Sequence, residues 1–185
     1  MSSLLSVHGL TRLFFHQIIR DEDLLIDATV GNGYDTLSLF EFTKNFRCRL
    51  IGFDIQQEAL TAAKMKIASP DSVDWILDSH ENFDRYPQIR EVGLFVYNLG
   101  YLPTKDKKIT TMSDSTLKSV KKALNLLRDK GGISITCYSG HPEGKKEIAV
   151  LEEFVLDLDP RLYAVTWTKW ANRKDCPSVL FIQKS

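Results

Sequence analysis

The stretch Asp27-Ala-Thr-Val-Gly-Asn-Gly-Tyr-Asp-Thr36 joins a short apolar run, Leu24 to Thr29, to a helical segment, Tyr34 to Phe42. Gly31 and Gly33 let the backbone turn tightly and approach a ligand closely. A strand, a glycine turn and a helix in that order form one βα unit. A dinucleotide-binding loop of this kind needs a third glycine three residues after the second, for close helix packing at the pyrophosphate. Position 36 is threonine. Asp27 and Asp35 also put negative charge where a pyrophosphate would lie. A cation suits the loop better, and S-adenosylmethionine (SAM) carries a sulfonium and an α-amino group. Asp27 is expected at the amino-acid end of SAM, directly or through water, with the Gly31–Gly33 backbone beside sulfur and ribose. The plainer alternative is a βα turn in which Asp35 only favours the helix dipole.

Moving outward, short β-rich runs alternate with helical ones. Ser6 to Arg20 reads as an amphipathic helix packed on the core as part of an N-terminal segment, residues 1–20. Strands are expected at Arg49–Asp54, Val73–Leu77, Val92–Leu99 and Ile133–Tyr138, the last entered through a Gly131-Gly132 turn. Helices are expected at Gln56–Ala68, Ser113–Arg128 and Glu143–Leu158, with Pro70 and Pro160 as stops. Two final strands, Tyr163–Trp170 and Ser178–Gln183, predict an antiparallel hairpin at the sheet edge. The sum is a single α/β domain over residues 1–185: a seven-stranded, mostly parallel sheet with helices on both faces. That is the Rossmann-like architecture of class I SAM-dependent methyltransferases, although architecture alone does not establish function.

The bulk numbers are ordinary. The 185 residues are 43% hydrophobic and 26% charged, with 24 basic against 24 acidic side chains. Zero net charge argues against a protein that coats nucleic acid non-specifically, but a local basic face remains compatible with an RNA substrate. No apolar run approaches the roughly 20 residues needed to cross a bilayer. Met1 to Arg20 is interrupted by Arg12, His16 and Gln17, so no signal peptide is expected and the cytoplasm is the default. Cys48, Cys137 and Cys176 are scattered and read as structural thiols. His8, His16, His80 and His141 supply no pair at metal-site spacing, so no metal is expected.

Each later strand end offers candidate residues. Asp54 can accept two hydrogen bonds from a ribose diol, which SAM and NAD share. Gln56 either assists at the ribose or starts the helix. Asp78 in Asp78-Ser-His-Glu81 either meets the adenine amine or serves the turn. Asn98-Leu-Gly-Tyr101 resembles the Asn-Pro-Pro-Tyr motif of methyltransferases that act on exocyclic amines. There, asparagine and backbone carbonyls hold the target amine in line with the methyl–sulfur bond, and the aromatic ring stacks on a base. Such transfer depends on positioning and desolvation. The structural alternative is that Asn98 caps a turn and Tyr101 packs in a loop. In Tyr138-Ser-Gly-His-Pro-Glu-Gly144, His141 takes up a proton, holds a substrate, or is structural. His8 and His16 are further histidines that could reach the same cleft.

Taken together, Asp27–Thr36, Ser79-His-Glu81, Asn98–Pro103, Thr110-Thr111 and Tyr138–Gly144 resemble the YtqB/MnmM family, also labelled rRNA methylases, over nearly the whole chain. The resemblance implies methylation of the aminomethyl group at C5 of the wobble (thio)uridine in tRNA, with SAM as donor and S-adenosylhomocysteine (SAH) as product. It implies a cofactor site of Asp27, Asn32, Asp35, Thr36, Asp54, Gln56, Ser79 and His80, and an acceptor side of Asn98, Tyr101 and His141. It also implies a homodimer acting on the tRNA anticodon region. The chain departs at Val30 and Tyr34, where the family pattern has alanine and histidine.

A core that consumes nearly all 185 residues leaves no separate RNA-binding domain. Lys105, Lys107, Lys108, Arg173 and Lys174 are candidate phosphate contacts or simply a solvated surface. Rival readings are a small-molecule N-methyltransferase or an rRNA methyltransferase of the same fold, a nucleotide-binding oxidoreductase, and a non-catalytic RNA-binding module.

Overall fold

The computed structural model describes residues 6–100, 113–173 and 176–185. Its strands are β1 (Leu24–Asp27), β2 (Arg49–Asp54), β3 (Val73–Leu77), β4 (Val92–Asn98), β5 (Leu127–Cys137), β6 (Tyr163–Thr168) and β7 (Ser178–Lys184). Its α-helices are α1 (Val7–Ile18), α2 (Tyr34–Phe46), α3 (Gln57–Lys64), α4 (Ser113–Leu126) and α5 (Pro142–Leu156). Two short 3-10 turns, Pro70–Ser72 and His80–Arg85, flank β3 and were not anticipated from periodicity.

The strands lie in the order β3-β2-β1-β4-β5-β7-β6. β1 to β5 pair in parallel, and β7 runs antiparallel to both β5 and β6. The predicted terminal hairpin is present, but its second strand sits inside the sheet and its first forms the edge.

Strand periodicity divides the core. Leu25, Leu94 and Val96 point to the face covered by Phe15 and Ile18 of α1 and by Leu39, Phe40 and Phe42 of α2. Ile26, Phe95 and Tyr97 alternate with them and meet Phe83, Val120 and Ala123 of α4, and Leu151 of α5. Both faces are covered, so β1 is buried at all four positions. That explains why the strands read as apolar runs. Burying one such side chain contributes about 1.5–3 kcal/mol.

Local chemistry sets most boundaries. The Ser6 hydroxyl accepts from the Gly9 N–H at 3.0 Å and caps α1. The junction of α4 and β5 corrects the expectation of a helix through Arg128 and a Gly131-Gly132 turn. The helix stops at Leu126, and β5 begins at once. Leu127 pairs with Val92 and Gly132 with Leu94, so Arg128 to Gly131 bulge out opposite Gly93. Two forces hold the bulge. Lys130 adopts a left-handed conformation, φ 62°. Arg128 reaches across to Asp23, its Nε and Nη2 donating to the two carboxylate oxygens at 2.6 Å each, and Nη2 also donates to the Ile18 carbonyl at 2.8 Å. This pair is nearly buried, at 13% and 5% side-chain exposure. A side chain at position 93 would collide with Asp23, which explains the glycine.

Candidate active site

Strand order reverses between β1 and β4, and open parallel sheets bind ligands at that point, beyond the carboxyl ends of the strands. Asp27, Asp54 and Asn98 are the last residues of β1, β2 and β4, so the sheet brings all three to one edge.

The loop after β1 is tightly built. Gly31 and Gly33 have φ of 50° and 76°. A β-carbon on Gly33 would stand 2.6 Å from that of Ala63, so glycine is needed both for backbone and for space. The Gly31 N–H donates to Asp54 Oδ2 at 2.8 Å, and the Gln56 N–H donates to Asp54 Oδ1 at 2.8 Å. Gln56 thus begins the turn into α3 through its backbone. The Lys66 ammonium holds the Asn32 carbonyl oxygen and lies 4.4 Å from the Tyr34 ring centroid. Tyr34, at the departure from the family pattern, is thereby used on the outer surface of the loop.

Beneath the loop, Asp27 is fully buried. Its oxygens accept from the Thr36 hydroxyl at 2.5 Å and the Thr29 N–H at 3.1 Å. Burial, joined by the nearby Asp35 charge, pushes its carboxyl up to about 7. Burial also raises Asp35 and Asp54 above the ordinary carboxylate range. Asp35 Oδ2 accepts from the Asn98 side-chain amide at 2.8 Å. The Asn98 backbone N–H donates to the Thr29 hydroxyl at 2.7 Å. Among the described residues, the groups that donate to these three carboxylates are backbone N–H groups, a hydroxyl and an amide, all neutral. Such a cradle concentrates negative charge and suits a sulfonium and an ammonium, whereas a pyrophosphate would be repelled. The residues present therefore fit SAM.

The other candidates stand apart from this cluster. Asp78 accepts from the Ser79 N–H, the Asn82 amide and the Tyr86 hydroxyl at 2.7–2.9 Å, so both oxygens serve its own turn. The Ser79 hydroxyl caps the following 3-10 turn by accepting from the Glu81 N–H. His80 is 8% exposed, packs edge-on against Tyr97, and is held at about 4 by burial, hence neutral. His141 caps α5, its Nδ1 accepting from the Gly144 N–H at 3.0 Å. That bond uses Nδ1 in the cap of α5. Tyr101, Lys105, Lys107, Lys108 and Lys174 lie outside the described residues.

Two residues of this site carried no role in the sequence. Thr29 ties the β1 loop to β4. Tyr138, the residue after β5, interacts with both Asn98 and Asp35. Its place beside His141 at a strand end was the available signal. His8 lies near enough to lower Asp35 electrostatically, whereas His16 packs on Phe42, with ring centroids 4.7 Å apart. Burial pushes the Cys48 and Cys137 thiols up to about 11 and about 12 and leaves them inert near neutrality. Among the described residues, no three His, Cys, Asp or Glu side chains form a metal-binding group.

The model of the family described as "Putative rRNA methylase" matches residues 50–184. A curated relative, the chloroplastic tRNA (mnm(5)s(2)U34)-methyltransferase of Arabidopsis thaliana, is 31% identical over 181 residues. The match takes in 92% of this chain and 66% of that protein, so the chain spans about two thirds of the relative's length. A "putative rRNA-methylase" structure from Clostridium thermocellum is 31% identical, with TM-score 0.87, covering 96% of this chain and 97% of its own. A "putative methyltransferase" from Streptococcus mutans, solved in complex with SAH, is 29% identical, with TM-score 0.85 and coverage of 97% and 98%. On these matches and on the glycine loop at its switch point, the chain belongs to the "Putative rRNA methylase" family and has the Rossmann-like fold of SAM-dependent methyltransferases.

Proposed function

We propose that this protein is a SAM-dependent N-methyltransferase that methylates the aminomethyl group at C5 of the wobble (thio)uridine of tRNA, releasing SAH. The observation that carries the reading is the Asn98 amide, bonded to Asp35 at the end of β4 and directly beside the acidic cradle. An amine acceptor needs a hydrogen-bond acceptor at that place, and an asparagine carbonyl provides one. The 31% identity to a tRNA wobble-uridine methyltransferase supports the substrate.

SAM would supply an electrophilic methyl group on a positively charged sulfur. Asp27 and Asp54 would hold negative charge around its cation, the Gly31–Gly33 backbone would give it room, and Asp35 holds the Asn98 amide. Asn98 aligns the neutral amine. The transfer this would allow is a direct displacement, in which the amine nitrogen would bond to the methyl carbon as the carbon–sulfur pair left with sulfur. The resulting secondary ammonium then gives its proton to solvent. The approach works mainly through alignment in a dehydrated cleft. Tyr101 and His141 belong to the proposed acceptor side. Ser79 and His80 belong to the proposed adenine side, with Asn32, Thr36 and Gln56 completing the cofactor pocket.

The compartment we favour is the cytoplasm. The Arabidopsis relative is chloroplastic, and no helix among the described residues is long and apolar enough to cross a membrane. A homodimer would pool the basic residues of two copies on one tRNA.

The test is incubation with SAM and tRNA from cells lacking this activity, followed by nucleoside mass spectrometry. The expected product is one added methyl on the aminomethyl wobble uridine. SAM binding without that gain would reject the tRNA reading in favour of an rRNA or small-molecule amine acceptor.

A further inference from the structure

The Asn98 side chain presents a problem of orientation. Its amide has one face that donates and one that accepts, and only the accepting oxygen can receive an N–H from an amine substrate. Nothing in the amide itself selects between two poses related by a flip.

Its surroundings do. The backbone at Asn98 is fixed by the bond from its N–H to the Thr29 hydroxyl at 2.7 Å. The amide nitrogen donates to Asp35 Oδ2 at 2.8 Å. An ionised carboxylate only accepts, so a flipped amide would set its oxygen against a carboxylate oxygen. The second neighbour is Tyr138, which stands close enough to Asn98 and Asp35 for both to perturb its hydroxyl. The Tyr138 ring lies beside the Gly100 backbone, with Cδ2 3.9 Å from where a β-carbon would be, and Gly100 has φ 144°. These contacts come from α2 and from the residue after β5, on either side of β4.

We infer that Asp35 and Tyr138 are positioning residues that lock the Asn98 amide with its carbonyl oxygen turned toward the acceptor amine. The inference rests on the N-methyltransferase reading and reassigns Asp35, which the sequence alone placed among cofactor ligands. The lock requires an ionised Asp35. A protonated Asp35 can donate to the Asn98 oxygen and so stabilises the flipped pose. His8 of α1, Asp27 of β1 and Tyr138 after β5 are the titratable groups that face Asp35, and at saturating SAM the acid limb of turnover follows Asp35.

The experiment compares wild type, Asp35→Asn and Tyr138→Phe in two assays. In the first, methyl transfer to tRNA is measured at saturating SAM, with the SAM Kd determined separately by calorimetry. Asp35→Asn is expected to lower kcat by about tenfold or more while the SAM Kd changes by less than about threefold, and to abolish the acid limb. Tyr138→Phe is expected to lower kcat less and keep the limb. A raised SAM Kd with unchanged kcat in Asp35→Asn would overturn the inference and return Asp35 to the cofactor. In the second assay, the Asn98 side-chain NH2 pair is followed by ¹⁵N NMR without ligand and identified by its loss in Asn98→Ala. The pair should move with pH in wild type and lose that dependence in Asp35→Asn. A pair indifferent to both pH and Asp35→Asn would show that no lock exists. If the wild type binds SAM but transfers nothing to tRNA, the tRNA reading fails. The spectrum then decides the lock by itself.

Discussion

At the scale of single residues, the acidic cradle links charge to affinity. Asp27 is fully buried, and its carboxyl sits at about 7. Without ligand, the folded protein holds this proton at pH values where the unfolded chain has released it. Asp27 therefore lowers stability as pH rises from the ordinary carboxylate value through about 7. A bound cation reverses the preference and favours the ionised form. Between pH 6 and pH 8 the ionised fraction of such a group rises about tenfold. The SAM Kd, measured by calorimetry, should fall by about that factor over the same interval. Asp27→Asn should bind SAM more weakly at pH 8 and lose the dependence. An equally steep dependence in Asp27→Asn would assign the titration to another group. His80 needs no such coupling, because burial keeps it neutral down to about 4.

At the scale of elements, the bulge between α4 and β5 carries a buried ion pair that joins three parts of the chain. Arg128 of the bulge binds Asp23, just before β1, and the carbonyl of Ile18 at the end of α1. Removing one partner leaves a charge stranded at low exposure. Arg128→Met should cost about 3–5 kcal/mol of unfolding free energy in urea titrations, and Asp23→Leu/Arg128→Met should recover much of it. A loss below about 1 kcal/mol would show that water reaches the site. This junction was also where sequence periodicity erred. Leu117, Val120, Leu124 and Leu127 continue a helical spacing, and only the long-range pairing of Leu127 with Val92 ends the helix before it. Helix-like spacing in one segment carries no information about a partner strand far away in sequence.

At the scale of the whole molecule, the parallel core was legible because its strands are apolar runs buried on both faces, and β1 beside the glycine loop gave the clearest signal. The insertion of β7 between β5 and β6 was not legible, since a hairpin reads the same whichever strand faces inward. In the candidate site, Asp27, Asp54 and Asn98 could be grouped from the sequence because strand ends converge at a switch point. Tyr138 was missed because its importance comes from the amide beside it, which only the folded chain supplies. The same layout divides the tryptophans. Trp167 lies on β6, at one edge of the sheet, and Trp170 follows that strand. Trp75 lies on β3, at the opposite edge, packed against Val30 of the glycine loop and close behind Gly52. The molecule thus carries its own optical gauge. In a Trp167→Phe/Trp170→Phe background, the fluorescence of one indole reports what happens in the cofactor loop, and a titration with unlabelled SAM can be followed by light alone.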